Sequence, residues 1–366
     1  MDPLPRLRAL EILRLPEQDG GDMFLLRDPE GYSDQELVMS EAALFVAAHG
    51  DGAHTLDQLR ANFETRYGKP LDRIEAQAVF DRLEAAFMLE SNAFLEERDR
   101  AHRDFLDAPC RRAAHAGRSY PEDADQAKET ASRFLHEAVS IEEPGERPTG
   151  MLRGLVAPHI DLRVGGAATA LAYRMLLEAP EVETVIVLGT SHACGRQAWI
   201  VSDKPFDTPL GLVPVNVDLC RHLAAQAKTQ SEDLFFHRRE HSIEFQAFFL
   251  AALRREGRDL NLVPVLCGSL RGAGDPPLDD SFLAELGRMV SQARGKVILL
   301  AAADLAHVGP RFGDPEALTS LQLRLLEKKD RATLEHVCRG DAAGFFTDVL
   351  EAGDPRRICG LAPVFG

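Results

Sequence analysis

Apolar and polar positions fall into two regimes along the chain. Phe24-Leu25-Leu26-Arg27 reads as a short strand, closed by a turn at Asp28-Pro29-Glu30-Gly31. Helical spacing follows. Ser40 is placed to cap a helix carrying Leu44 and Phe45, which Gly50 to Gly52 end. Thr55 is placed to cap a second, in which Leu56, Leu59, Phe63 and Tyr67 share one face. A third is expected from about Leu71 to Phe87, with Ile74, Val79, Leu83 and Phe87 as its buried face. Met88-Leu89-Glu90 then begins an extended piece. The charge-rich stretch from Asn92 to Arg103 reads as a solvated connecting helix.

From near Cys110 the pattern changes to apolar runs alternating with helical stretches. The expected strands are Gly154–Ala157, Thr184–Leu188, Ala198–Val201, Leu260–Leu266 and Lys296–Leu300. Helices are expected at Ala167–Glu178, Ser242–Arg255 and Asp280–Ala293. Strands this apolar, separated by helices, predict an α/β sheet covered by helices on both faces. The chain therefore divides into residues 1–109, a small domain with its connecting helix, and 110–366, an α/β domain.

Charge narrows the partners. Lys and Arg number 42 against 58 Asp and Glu, a formal net charge of -16. Such a surface repels phosphate backbones and anionic lipid, so neither nucleic acid nor membrane is an expected partner. The six cysteines form no C-x-x-C pair, which argues against a zinc knuckle or a thioredoxin-like motif. With no apolar signal core or membrane-length run, the expected location is a reducing cytoplasm.

Four histidine-containing segments carry the candidate chemistry. The first strand ends in Ala157-Pro158-His159, and the second in Gly189-Thr190-Ser191-His192. Glu240-His241-Ser242-Ile243-Glu244 opens a helix, and the last long strand ends in Asp304-Leu305-Ala306-His307. Ligands of open α/β sheets bind beyond the carboxyl ends of strands, so these segments can converge on one cleft. Two histidines and a carboxylate would make a divalent-metal site with open positions, with His241 beside it as an acid–base group. A lone histidine at a strand end is more often structural; four at corresponding positions argue for a site. Gly165-Gly166-Ala167 could cradle an anion but fits close backbone packing better. Cys194, two residues past His192, carries no mark of an activated nucleophile.

Two resemblances add to this reading. The stretch FLLRDPEGYSDQELVMSEAALFVAAHGDGAHTLDQLRANFETRYG resembles the PqqD-like winged-helix group, which implies peptide recognition. The segments AHAGRSYP, GLVAPHIDLRVGGAATALAY, VIVLGTSHACG, FDTPLGLVPVN, EHSIEF, LVPVLCGSL, AADLAHVGPRF and ICG, in that order, resemble the Memo-like family, the AmmeMemoRadiSam system protein B group. That resemblance implies a fold like the class III extradiol (non-haem iron) dioxygenases. It also implies a metal site, of iron, copper or zinc, with His159 and His192 as ligands and His241, Asp304 and His307 in the pocket. The thiol ligand of some members would fall at Ala306 and so be missing, leaving Asp304 or Glu244 to supply oxygen. Arg163 would bring a cation near the cleft and favour an anionic ligand. The resemblance implies a further helix and strands after the ICG motif, so the expectation is that this chain is either truncated or ends its sheet differently. Three functions follow as expectations: a Memo-like metal-binding protein, redox-active and working with a radical SAM partner; a dioxygenase-like enzyme on a small aromatic or peptide substrate; or a non-catalytic module binding a peptide or protein.

Overall fold

A computed structural model describes residues 3–15, 22–141, 150–193, 197–271, 276–277 and 280–366. The chain forms two compact units, Met1–Asp107 and Ala108–Gly366.

In the first unit, β1 (Glu11–Arg14), β2 (Met23–Arg27) and β3 (Leu37–Ser40) make an antiparallel sheet in that order. Four helices follow: α1 (Glu41–Ala48), α2 (Leu56–Tyr67), α3 (Arg73–Ala85) and α4 (Asn92–Asp107). Ser40 caps α1 through the Ala43 amide, and Thr55 closes a capping box with Gln58, as their positions predict. The face of α3 differs from expectation. Ile74 is 79% exposed, and the buried residues are Ala76, Phe80 and Leu83. Asp72 caps the helix at the Ile74 amide and leaves Ile74 in the exposed first turn, while 76, 80 and 83 keep helical spacing onto the core. The extended piece after α3 pairs with the start of the chain: Leu89 bridges Leu7, and the Glu90 amide donates to the Arg6 carbonyl. The helix expected to be solvated buries Phe94 and Phe105.

The second unit begins with β4 (Arg111–Arg112), α5 (Ala124–Ile141), β5 (Gly154–Ala157), α6 (Leu162–Leu177), β6 (Thr184–Thr190) and β7 (Trp199–Val201). It continues with β8 (Phe206–Thr208), β9 (Gly211–Val213), α7 (Val217–Ala227), α8 (His241–Arg255), β10 (Asn261–Cys267) and α9 (Ser281–Gln292). It ends with β11 (Val297–Ala302), α10 (Ser320–Cys338), α11 (Ala342–Leu350) and α12 (Leu361–Phe365). The main sheet has the order β5-β11-β6-β10-β7 and is parallel except for β7. β4, β8 and β9 form a second, small sheet.

The central strand β6 is buried along its whole length, as its unbroken apolar run requires. A Cβ at Gly189 would strike Ile243 of α8, while Leu188, pointing the opposite way, meets Gly366 just after α12. Helices therefore cover both faces of the sheet. Every residue of α8 from Ser242 to Leu253 is buried, which explains its apolar character all round. The Gly165-Gly166 pair lies inside α6, which Asp161 caps earlier than the pattern suggests. A Cβ on Gly166 would sit 2.4 Å from the Phe134 ring, so that glycine serves the close packing of α5 on α6. Among the described residues no helix is long and apolar enough to cross a membrane.

Candidate metal centre

Three neighbouring parallel strands, β5, β11 and β6, end side by side. The loops that leave them carry His159, the Asp304–His307 pair and His192 to one rim. His241, the first residue of α8, joins them there. His159, His192 and His241 each offer a ring nitrogen, and these atoms lie within 4.8 Å of one another. The rings of His192 and His241 stack at 4.5 Å, and that of His159 stands 5.3 Å from His192. His241, expected beside a metal, is thus part of the cluster itself.

Two of the three imidazoles are oriented by their far nitrogens. His159 is buried, and its Nδ1 donates to the Ala302 carbonyl at 2.9 Å. His192, whose side chain is 41% exposed, forms the solvent side of the cluster, and its Nδ1 donates to Glu240 at 3.0 Å. Both rings therefore turn Nε2, unprotonated in the neutral tautomer, toward the centre. Asp304 works from behind: one oxygen accepts the amides of His159 and Ile160, and the other lies 3.9 Å from His159 Nε2. His307 turns its Nδ1 to the Leu305 carbonyl. Asp304 and His307 line the centre without joining the three-histidine group.

The thiol that was expected to be missing at Ala306 comes instead from Cys359. Its Sγ lies 3.3 Å from His159 Nε2 and also bonds to His192 and His307. Burial alone would raise the pKa of this thiol; the three imidazoles override it and push the value well down. His159, His192 and His307 are raised in return, so without a metal the imidazoles around Cys359 favour its thiolate form. His241 moves the other way, to about 3, through burial and the neighbouring histidines. Gly360 lets Cys359 approach: a Cβ there would sit 2.7 Å from Ala303 and 2.8 Å from the Asp304 carbonyl oxygen. The only sequence signal for Cys359 was the three-residue ICG motif.

Two other expected residues act elsewhere. Glu244 is buried and fully engaged: it pairs with Arg111 and accepts from Tyr120 Oη at 2.5 Å and from the amides of Ala114 and His115. It has no oxygen left for a metal. Arg163 is exposed and bound to Asp161, so it does not charge the cleft. Cys194 lies outside the described residues.

The donor set fits a transition metal. Nitrogen and sulfur ligands at ~2.0 and ~2.3 Å from one tetrahedral ion stand about 3.5 Å apart, close to the separation of Cys359 and His159. Two of the imidazoles already have the outer partners that fix a ligating tautomer.

A model of the Memo-like protein family matches residues 111–366. The chain is 28% identical over 314 residues to a MEMO1 family protein of Aquifex aeolicus (strain VF5), covering 86% of this chain and 78% of that one. It is 28% identical over 262 residues to a MEMO1 family protein of Methanopyrus kandleri, 69% and 83% of the two chains, and 27% identical over 247 residues to one of Pyrococcus furiosus, 65% and 80%. The Aquifex match is longer than the second unit and so takes in part of the first. On the family match and the ordered motifs that meet at this centre, the chain belongs to the Memo-like family.

Proposed function

We propose that the protein binds one iron, copper or zinc ion at His159, His192 and Cys359, and that with iron or copper the centre has a redox role. The observation that carries this reading is the Cys359 Sγ at 3.3 Å from His159 Nε2, with two further imidazoles around it. A bound iron or copper ion would supply access to two oxidation states, and the thiolate favours the softer metals. The protein's own groups do the rest. Glu240 and the Ala302 carbonyl hold two rings in ligating orientation. His241 remains neutral at physiological pH and stands over the His192 ring, where its free nitrogen can accept a hydrogen bond or join the ion. A radical SAM protein is the proposed partner, on the strength of the likeness to AmmeMemoRadiSam system protein B.

Anaerobic titration of the reduced protein with ferrous, cuprous and zinc ions tests the centre, together with the absorption spectrum of a cobalt-substituted form. The expected result is one ion per chain and a sulfur-to-cobalt charge-transfer band. The band should disappear in Cys359→Ser, and ion uptake should fail in His159→Ala. Equal affinity in wild type and His159→Ala, or an unchanged cobalt spectrum in Cys359→Ser, overturns the assignment. Affinity capture from a lysate of the source cells with this chain as bait, read for radical SAM proteins by mass spectrometry, tests the partner; no enrichment over a control bait removes it.

A further inference from the structure

A cavity of about 260 Å³ opens beside the cluster, with His192 and Cys359 in its wall. Arg271 and Arg357 line it as well, and no carboxylate among the described residues does. For a chain of net charge -16 that lining is unusual. The volume lies below the ~300–1,000 Å³ of sites for drug-sized ligands, so the occupant is small.

Both arginines are held from behind. Arg271 pairs with buried Asp354 and donates to the Ile358 carbonyl at 2.5 Å. Arg357 spends Nε on the His307 carbonyl and its two terminal nitrogens on Asp314 at 2.9 and 2.7 Å. Each terminal nitrogen of a guanidinium carries two N–H groups, so donors remain on both residues. The pairing carboxylates fix the forks without entering the cavity wall. Arg357 also holds φ at 51°, a region that strains a residue with a side chain, and its three hydrogen bonds keep it there. Each guanidinium keeps a second N–H on its terminal nitrogens, and these can donate single hydrogen bonds to the oxygens of a carboxylate or phosphate. The hydroxyl-bearing Ser191 and Ser269 complete a polar wall.

We propose that this cavity binds a small molecule carrying a carboxylate or phosphate group, held by Arg271 and Arg357 with its remaining part against Cys359 and His192. The proposal rests on reading the neighbouring thiol–histidine cluster as the functional centre.

The test uses the full-length, metal-free protein, so that its failure is separate from failure of metal binding. Calorimetry with succinate and with inorganic phosphate is compared with neutral succinamide. In parallel, the rate of Cys359 alkylation by iodoacetamide is followed by peptide mass spectrometry. Binding of at least one anion and slowed alkylation of Cys359 are expected, with succinamide inert. Arg357→Gln should weaken that binding by about tenfold or more, the loss of one charge-assisted pair. Arg271→Lys, which keeps a cation for Asp354 but loses the fork, should weaken it too. Arg163→Gln should leave it unchanged. Succinate alone, or phosphate alone, identifies the anion. Binding of neither anion, equal affinity in all three variants, or alkylation indifferent to the anion overturns the proposal.

Discussion

Glu240 holds His192 by two hydrogen bonds, accepting the backbone amide at 2.9 Å and the ring Nδ1 at 3.0 Å. The same carboxylate caps α8 through the Ser242 amide and lies 3.3 Å from His241 Nδ1. One buried group thus ties a strand-end histidine to a helix-start histidine. Glu240→Gln keeps the shape but loses the charge that raises His192. Partners of this kind typically contribute tenfold to a hundredfold in metal affinity, so we expect a loss of about that size. Zinc competition titration reads it directly; an affinity within twofold of wild type would show that Glu240 only caps the helix.

Arg111 and Glu244 form a buried ion pair that joins β4 to α8. Arg111 also donates to the carbonyls of His237 and Glu240, at 3.0 and 2.9 Å, so it braces the turn that presents His241. Arg111→Met leaves the Glu244 carboxylate buried with Tyr120 and two amides but no cation. The expected loss is about 3–5 kcal/mol of stability. Urea unfolding checks this, and Arg111→Met combined with Glu244→Gln should recover part of the loss. A single variant as stable as wild type contradicts the account.

Much of this centre was legible in the sequence because parallel strands make position informative. Gly154–Ala157 was read to the residue, and Thr184–Thr190 extended its apolar run by two residues, so His159 and His192 were placed by the ends of their own strands. Cys359 was not legible in that way. It follows no strand, and it reaches the centre because Gly360 packs on Ala303 and the Gly360 amide bonds to the Asp304 carbonyl. Contacts across 55 residues of chain, between Cys359 and Asp304, leave no periodic trace. Ile74 shows a local limit of the same kind: apolar spacing named a face, but the cap at Asp72 decides where the helix starts and so which residues face inward.

His237 should make the protein sensitive to mild acid. It is fully buried, its Nε2 donates to the Ile200 carbonyl at 3.1 Å, and its Nδ1 has no partner. Burial, with the Arg111 charge adding to it, pushes its pKa down to about 4. In the unfolded chain a histidine titrates near 6.5, so between about pH 6.5 and 4 the unfolded state binds the extra proton. This group's contribution is therefore fully present above about 6.5 and lost as pH falls through 4, and a gap of ~2.5 units corresponds to about 3 kcal/mol. His237→Gln retains a donor for Ile200 without titrating. Unfolding measured at pH 7 and pH 4.5 should show a smaller acid loss in the variant; equal losses would place the acid sensitivity elsewhere.

The two units have separate cores, and this sets the last expectation. One core is built from residues such as Leu26, Met39, Leu59, Phe80, Leu83 and Met88, the other from residues beginning at Tyr120. No residue belongs to both. Domains of about 100 residues commonly bury enough surface to fold alone, so residues 1–107 should unfold cooperatively when expressed by themselves. Limited proteolysis of the full chain should cut in the short stretch between Asp107, where α4 ends, and Arg111, where β4 begins. The cut is expected there because α4 buries Phe94 and Phe105 and is protected, which narrows the susceptible region to a few residues. Circular dichroism of the 1–107 fragment gives the second reading. A fragment without helical signal or a thermal transition, or a full chain cut first inside α5 or α10, would mean that the units do not fold independently.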